Sequence, residues 1–406
     1  MVDCRRELSL YHLLDPEVLA NPYPLYAQLR EEDPVHWDPY LHAWVVTRYR
    51  DVTEVFLRLS AERTPTPERL AELGMESLAP IAQVMVRQML FMDPPDHTRV
   101  RRLAAAAFTP RRVEQMRYRV QEIADQLLDR VLGAGQMDIM EALANPLPAI
   151  VTAEMFGLRS RDHRALKGWS QDFAEMLGNF QHNPGRAPQV LVSLQAMTDY
   201  FTKAVRGQAA RSGAGLIGAL ASAEVDGDRL SEEEVVANLI ITMVGGQETT
   251  TNLIGNGVLT LLRWPEEMAR LRADPTLMAA AVEELLRFES PSQHTARLAT
   301  SDFELGGRLI KRRQAVIAVM GAANRDPERF SEPDRLDLGR SDNRHLAFAW
   351  ASHFCFGAPL ARLEGQIVLA TLLRRLPEMR LKPVELNWRP NLGLRGLQTL
   401  PVEFRT

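Results

Sequence analysis

Apolar residues recur every three or four positions through most of the chain, and this period predicts α-helices. Residues 111–230 are mostly of this kind, and Val120, Ile123 and Leu127 show the spacing clearly. Further helices are predicted over residues 49–58, 162–177, 189–211 and 275–288, and an alanine-rich helix is predicted to start near residue 96. The pattern therefore indicates a protein in which helices supply most of the core.

The longest predicted helix covers residues 231–263. Ser231 followed three positions later by Glu234 predicts a capping box at its start, and Trp264-Pro265 ends it. At about 1.5 Å per residue the helix is about 50 Å long, which is enough to cross the whole molecule.

Alternating apolar and polar residues predict short strands in a minority of the chain. Residues 35–37 and 44–47 form a predicted hairpin, and the chain after Pro291 predicts a small sheet. Residues 391–404 resemble a terminal hairpin with its tip around Leu397 and Gln398. No repeat or long linker interrupts the sequence. We therefore expect a mainly α protein with small β-sheets, as one domain over residues 1–406 with a small β-rich region near the N-terminus.

Composition narrows the class of protein. The 406 residues are 46% hydrophobic and 25% charged, with a net charge of −4, so no global charge points to nucleic acid. Two cysteines exclude a disulfide framework and fit a reducing compartment. The first residues contain no apolar run long enough for a signal peptide or a membrane anchor. We expect a soluble, cytoplasmic protein without a membrane partner.

Cys355 is the strongest candidate for chemistry. It lies between a loop of small residues and an amphipathic helix, where free backbone N–H groups and the helix dipole favour a thiolate. A thiolate there suits iron ligation, with Phe348 and His353 nearby, or nucleophilic catalysis, with His353 as base. A zinc site with His345 and His353 lacks a fourth ligand. The simplest alternative is a small buried hydrophobe.

Two other stretches carry candidate chemistry. His97 and Arg101 are four residues apart and share a helical face, which suits a carboxylate ligand or a solvated basic surface. Adjacent Gly245 and Gly246 lie inside the longest predicted helix, where each costs about 1 kcal/mol relative to alanine. They allow a flat ligand or a diatomic molecule to approach the backbone, or they form a chance weak turn.

A resemblance to a known family follows from five motifs taken together. The run Phe348, His353, Cys355, Gly357 and Glu364 closely resembles the haem-ligand signature of the cytochrome P-450 family. Four other stretches match that family in order and spacing: His97 with Arg101, residues 245–250 (GGQETT), Glu284 with Arg287, and residues 323–327 (ANRDP). Ala349 and Ala351 depart from it, because family members usually have glycine there.

The resemblance implies roles for individual residues. Cys355 would bind the iron of haem b, with Phe348 and Gly357 beside it. His97, Arg101, Arg297 and His353 would bind the haem propionates. Glu248 and Thr249 would be the acid and the alcohol that deliver protons during oxygen activation. The triad Glu284, Arg287 and Arg335 would be structural. Substrate-pocket residues would be Gly245, Gly246, Phe173, Leu177, Phe180, Gln293 and Leu397.

The function implied by the resemblance is that of a haem-thiolate monooxygenase. It would insert one oxygen atom from O2 into an apolar small molecule, by hydroxylation or epoxidation, in secondary metabolism or catabolism. Coupling or desaturation are further possibilities. No Gly-rich dinucleotide fingerprint is present, so a separate ferredoxin and ferredoxin reductase would supply electrons. We expect the protein to be a monomer. The expected docking patch is Arg102, Arg111, Arg112, Arg344 and Arg362.

Two other functions compete with this interpretation. A peroxide-driven haem-thiolate peroxygenase would not need the pair Glu248 and Thr249. A non-enzymatic haem-based gas sensor would need neither a patch for a donor protein nor a lid over a substrate.

Overall fold

The computed structural model describes residues 7–179, 184–209 and 215–405. These ranges contain seventeen α-helices joined by short 3-10 turns and one π-helical turn. The first nine helices are α1 (Pro16–Ala20), α2 (Tyr23–Glu32), α3 (Tyr49–Arg58), α4 (Pro67–Glu72), α5 (Ala79–Met85), α6 (Asp96–Ala107), α7 (Pro110–Gln115), α8 (Arg117–Asp129) and α9 (Pro146–Phe156). The others are α10 (His163–Asn179), α11 (Ala187–Ala209), α12 (Gly215–Ala221), α13 (Glu232–Arg263), α14 (Pro265–Ala273), α15 (Met278–Phe288), α16 (Met320–Ala323) and α17 (Ala358–Arg375).

The strands of the described residues are short. They are β1 (Val35–Asp38), β2 (Ala43–Val46), β3 (Gln136–Asp138), β4 (Glu224–Val225), β5 (Asp228–Arg229), β6 (Thr295–Leu298), β7 (Phe303–Leu305), β8 (Arg308–Ile310), β9 (Ala315–Ala318), β10 (Arg380–Leu381) and β11 (Pro401–Glu403). The expectation of a mainly helical protein with small sheets is confirmed.

The largest sheet has the order β1-β2-β9-β6. The predicted hairpin pairs Val35 with Val46, and β9 lies parallel to β2 on its other side. The outer strand β6 runs antiparallel to β9 and carries Arg297 opposite Val316. The sheet therefore presents Arg297 from an edge strand, at a position fixed by the backbone ladder.

The long helix α13 forms the centre of the helical core. It begins with the predicted capping box, in which Ser231 and Glu234 exchange hydrogen bonds with each other's backbone. Its 32 residues span about 48 Å at about 1.5 Å per residue. It packs on α15 and α17, and the approach is close: a Cβ placed on Gly365 would lie 3.1 Å from the side chain of Leu253. This packing puts the start of α17 beside the core.

The terminal hairpin differs from the prediction. Its arms pair Trp388 with Leu397, and the N–H of Gln398 donates to the carbonyl of Asn387. Leu397 is thus in an arm and not at the tip, because the turn comes earlier in the sequence than its glycine and polar residues suggested. The last strand, β11, pairs with β3 and β10.

Among the described helices, none is both long enough and apolar enough to cross a bilayer.

Candidate functional site

Cys355 lies at the end of a loop that hydrogen bonds fix at both ends. The N–H of Leu346 donates to Oδ1 of Asn324 at 2.7 Å, and the N–H of Cys355 donates to the carbonyl of Phe348 at 2.8 Å. The helix α17 starts three residues later, at Ala358. The predicted junction between loop and helix is therefore present, and the thiol is held in one place.

The environment of the Cys355 sulfur contains both opposing and favourable influences on a thiolate. Burial raises the pKa of the Cys355 thiol, while backbone N–H groups of Gly357 and Ala358 and the guanidinium groups of Arg101 and Arg362 act to lower it. The sequence argument considered only the favourable groups, and burial outweighs them. Coordination to a metal removes the proton outright, and the N–H groups then become hydrogen-bond donors to the sulfur.

Two alanines in this loop adopt a left-handed backbone. Ala349 has φ 59° and Ala351 has φ 57°, a region that residues with a Cβ rarely occupy. They stand where the resembling family usually has glycine. The loop therefore keeps the backbone conformation that glycine permits, and the two alanines carry the strain.

Phe348 and Arg362 pack together beside the sulfur. Phe348 is buried, and the guanidinium of Arg362 lies 4.7 Å from the centre of its ring. Arg362 is also held by Glu283 through two hydrogen bonds of 2.6 and 2.7 Å, and Glu283 contacts His345 at 3.2 Å. The charge of Arg362 is therefore neutralised by Glu283. We no longer count Arg362 among the free arginines expected to bind a donor protein.

Two arginines and two histidines predicted to bind carboxylates come together beside this loop, and we call them the cationic cluster for the charge of its arginines. The rings of His97, on α6, and His353 lie 4.2 Å apart between centroids. Arg101, one turn after His97, donates from Nη2 to the carbonyl of Phe354 at 2.6 Å. Burial lowers the pKa values of both histidines, and the positive charge of Arg297 on β6 adds to that shift. Sequence positions almost 260 residues apart thus form one cluster.

The cluster has unused hydrogen-bonding capacity. Within the described part of the chain, Nε2 of His97, Nε2 of His353 and Nε of Arg297 are buried without a hydrogen-bond partner. Burial lowers the pKa of His353 to about 3, with a further contribution from Arg297 and His97, and burial lowers the pKa of Arg297 to about 10. Buried donors without partners are costly, so the site is built for an anionic ligand.

The residues present fit haem. A thiol with backbone donors suits an iron ligand, a buried aromatic ring beside it suits a flat macrocycle, and the cationic cluster suits two propionates. Zinc fits poorly, because His345 is occupied by Glu283 and by the N–H of Ala347. No three His, Cys, Asp or Glu side chains of the described ranges converge as a metal-binding group.

Glu248 lies in a buried ionic network. Its carboxylate is 1% exposed, and it accepts from Nζ of Lys167 at 2.5 Å and from Nη1 of Arg389 at 2.7 Å. Lys167 comes from α10 and Arg389 from the terminal hairpin. Burial lowers the pKa of Lys167, and the negative charge of Glu248 opposes that shift. The acid is thus fixed between three elements.

Thr249 and Gly245 share a different face of α13. Oγ1 of Thr249 donates to the carbonyl of Gly245 at 2.6 Å, and a Cβ added to Gly245 would meet no atom within 4 Å. A Cβ on Gly246 would instead lie 3.3 Å from Oγ1 of Thr152 on α9. Successive residues point about 100° apart around a helix, so the two glycines face different neighbours. Gly246 is half-buried, and its place in the pocket stays a prediction.

Three pocket predictions are wrong. Phe173 and Leu397 have no exposed surface, so neither borders a cavity that admits a water molecule. Gln293 is 2% exposed and its side chain donates to the carbonyl of Ser290. All three are core residues whose apolar or turn character resembled that of a pocket wall. Leu177 is half-buried and stays a prediction, and Phe180 lies outside the described residues.

The buried pair Glu284 and Arg287 has a different third member from the one predicted. Both side chains are fully buried and form two hydrogen bonds of 2.7 and 2.8 Å. Arg340 completes the group, with Nε 3.2 Å from each oxygen of Glu284. Arg335 is exposed and pairs with Glu332, so the choice of Arg335 was wrong. The loop after Pro333 turns Arg335 outward and brings Arg340 back.

Sequence reasoning missed Lys167, Arg389 and Arg340. One signal was available for Lys167, since a lysine directly beside the apolar positions Leu166 and Phe173 of one helix is rarely buried. Arg340 and Arg389 lie in irregular segments, where periodicity gives no direction for a side chain.

Known proteins share both the sequence and the structure of this chain. The cytochrome P450 family model matches residues 43–386. The polyketide biosynthesis cytochrome P450 PksS of Bacillus subtilis is 37% identical over 98% of this chain and 99% of that protein. The cytochrome P450 monooxygenase PikC of Streptomyces venezuelae is 39% identical over 97% of this chain and 93% of that protein.

A solved structure shows the same fold at similar identity. The crystal structure of P450BioI, in complex with an acyl carrier protein ligated to hexadec-9Z-enoic acid, has a TM-score of 0.89 and 36% identity. The match covers 96% of this chain and 99% of that chain.

Proposed function

Because the chain belongs to the cytochrome P450 family, with haem as its cofactor and O2-dependent oxidation as its chemistry, we propose that it inserts one oxygen atom from O2 into a mainly apolar small molecule. The observation that carries this proposal is the surroundings of Cys355. Its sulfur receives hydrogen bonds from two backbone N–H groups. Beside it lies the cationic cluster, in which three buried atoms have no hydrogen-bond partner among the described residues.

The proposed haem site uses the chain's own residues as follows. Cys355 is the thiolate ligand, Gly357 contributes an N–H to the sulfur, and Phe348 covers the ligand loop. The propionates are held by charge-assisted hydrogen bonds from His97, Arg101, Arg297 and His353. When bound through a thiolate, haem iron activates O2, because the sulfur donates electron density that favours O–O cleavage.

Proton supply is assigned to the middle of α13. Thr249 is half-buried on the face where Gly245 leaves space, and its hydroxyl is both donor and acceptor, so it can orient a water molecule there. Glu248 directly precedes Thr249 in the sequence, but its carboxylate lies on another face of α13, where it pairs with Lys167 and Arg389. We assign to its carboxylate the transfer of protons from the network toward Thr249.

The proposed substrate is apolar, and the product is a hydroxyl or an epoxide. The names of the relatives support this proposal, because they include a polyketide biosynthesis enzyme and a protein in complex with a fatty-acyl carrier protein. Gly245, Gly246 and Leu177 remain the proposed contacts from this chain. A role in secondary metabolism is consistent with those names.

Electrons are proposed to come from a ferredoxin and its reductase. Of the expected docking patch, Arg102 pairs with Asp226, Arg344 lies near Asp342 and Arg362 pairs with Glu283. Arg111 and Arg112 lie on α7, which packs against α17 near the ligand loop. These two arginines are therefore the proposed contacts for an acidic donor protein.

The proposed organisation is a single domain over residues 1–406 that acts as a monomer. Two cysteines in the sequence fit a reducing compartment, and we propose the cytoplasm.

Turnover with isotopically labelled O2 tests the proposal. The purified protein, a ferredoxin, its reductase and a reduced nicotinamide are incubated with a panel of polyketide, steroid and fatty-acid substrates. The proposal predicts one labelled oxygen atom in a product. Products that form only with peroxide would support a peroxygenase, and binding of O2 or CO without any product across the panel would support a gas sensor.

A further inference from the structure

We propose that Arg63 is a fifth residue that binds the haem propionates. The proposal rests on the haem site proposed above and adds to it a residue that lies outside all five sequence motifs. Arg63 follows α3 in an irregular segment, where neither periodicity nor resemblance indicated a role.

The backbone attaches the Arg63 segment to both elements that carry the cationic cluster. Ser60 and Leu298 exchange two hydrogen bonds of 2.9 Å, and Leu298 directly follows Arg297 on β6. On the other side, the N–H of Ala61 donates to Asp93 at 2.9 Å, four residues before His97. Arg63 is thus held between the strand of Arg297 and the start of α6.

The side chain of Arg63 is fixed in place. Its Nη1 donates to the carbonyl of Ala61 at 3.1 Å and to that of Leu90 at 3.4 Å. Its guanidinium lies 4.5 Å from the centre of the Phe91 ring. A guanidinium has five N–H donors in a rigid fork. Among the residues that the structure describes, the hydrogen bonds of Arg63 use Nη1, so Nε and Nη2 are the atoms available to a carboxylate.

The side chains around Arg63 carry an excess of positive charge, which favours binding of an anion. Arg63 is half-buried, and burial together with the positive charge of Arg297 lowers its pKa to about 9. The negative charge of Asp93 acts to raise the pKa values of Arg297 and His97, but it does not raise that of Arg63. Arg63, Arg101 and Arg297 against Asp93 leave an excess of two positive charges, which two propionates would neutralise.

A purely structural role explains less of this arrangement. An arginine that only links two carbonyls gains nothing from a position beside Arg297, where like charges repel. A positive charge near the propionates also favours the reduced iron, which carries one electron more. Loss of Arg63 therefore has an effect on the reduction potential that loss of two carbonyl contacts alone would not have.

The test compares Arg63→Gln, Arg63→Lys and the control Arg58→Gln, an exposed arginine of α3, in the haem-loaded protein. Haem transfer to excess apomyoglobin and the reduction potential of the iron are measured. One charge-assisted hydrogen bond contributes about 1.5–3 kcal/mol, so Arg63→Gln is expected to release haem at least about tenfold faster. Its potential falls, Arg63→Lys keeps the potential, and Arg58→Gln changes neither quantity.

Folded Arg63→Gln with the transfer rate and the potential of the unsubstituted protein would overturn the proposal. If that variant does not fold, Arg63→Lys decides. The proposal predicts faster haem transfer at an unchanged potential, because the fork is lost and the charge is kept. An unchanged transfer rate contradicts it. The haem spectrum of the unsubstituted protein tests Cys355 separately, so failure of the haem-thiolate proposal is distinguishable from failure at Arg63.

Discussion

Arg287 donates a hydrogen bond of 2.8 Å from Nη1 to the backbone carbonyl of Asn324, and this contact joins the buried ion pair of α15 to the loop of Cys355. The amide of Asn324 continues the link, since its Oδ1 accepts from the N–H of Leu346 at 2.7 Å. The core salt bridge and the proposed iron ligand are therefore connected through one fully buried asparagine.

Asn324→Ala is expected to destabilise the protein and to loosen the ligand loop. It leaves the N–H of Leu346 buried without an acceptor, which costs about 1–3 kcal/mol. Ser290→Ala is the matched control, because Ser290 accepts from the other end of the same amide at 2.8 Å. Chemical denaturation and haem retention are measured. Equal haem loss in both variants would show that Asn324 does not act through the loop.

Substitution of Arg340 is expected to destabilise the protein much more than substitution of Arg335. Arg340→Ala removes a partner of fully buried Glu284, and breaking such a pair costs about 3 kcal/mol. Arg335 is exposed, so Arg335→Ala is expected to change the free energy of unfolding by no more than about 0.5 kcal/mol. Urea titrations compare the two. A larger loss of stability in Arg335→Ala than in Arg340→Ala would show that Arg335 is the third member of the triad.

The lowered pKa of Glu283 predicts that the protein loses folding stability in acid. Burial alone would raise the pKa of its carboxyl, but hydrogen bonds from His345 and Arg362 prevail and lower it from 4.5 to about 2. A carboxyl with a lower pKa in the folded state stabilises the protein above pH 4.5, and this contribution is lost as the pH falls through about 2.

Glu283→Gln is therefore expected to reduce stability at neutral pH by about 2–3 kcal/mol and to flatten the acid limb of the stability curve. Glu266→Gln, at an exposed carboxylate of α14, is the control. Unfolding is followed from neutral pH to pH 2. If stability falls as steeply in acid for Glu283→Gln as for the unsubstituted protein, Glu283 is not the cause of the acid sensitivity.

Glu248→Gln is expected to reduce product formation by about a hundredfold, the lower range for loss of a positioned acid. Oxidation of reduced nicotinamide should fall less, because electrons continue to arrive without matched protons. Thr250→Ser, one residue beyond Thr249, is the control. The ratio of product formed to nicotinamide consumed is measured. An unchanged ratio in Glu248→Gln would confine the network with Lys167 and Arg389 to a structural role.

Ala349→Gly and Ala351→Gly are each expected to increase stability by up to about 1 kcal/mol, since a left-handed backbone costs alanine about 1–2 kcal/mol and glycine's entropy offsets part of it. Ala361→Gly within α17 should have the opposite sign and cost about 1 kcal/mol. Thermal unfolding of the haem-loaded proteins distinguishes them. Destabilisation by all three substitutions would show that the loop gains nothing from glycine.

The elements with strong local signals were predicted well from the sequence. The capping box of Ser231 and Glu234 and the length of α13 follow from local chemistry. Predictions failed or stay untested where long-range packing decides. Gly246 and Gly245 are neighbours in sequence, but only tertiary structure shows that one faces Thr152. Arg340 replaced Arg335 because an irregular loop sets which arginine returns to Glu284, and the apolar character of Phe173 and Leu397 is the same in a core as in a pocket.

The central claim is that Cys355 binds haem iron as a thiolate. The most direct measurement is the absorption difference spectrum of the dithionite-reduced, CO-bound protein, with Cys355→Ser as the comparison. The account predicts the long-wavelength Soret band that gives the family its name, and its absence in Cys355→Ser. A Soret band at the shorter wavelength typical of histidine-ligated haem, or no haem band from the folded protein, would contradict it.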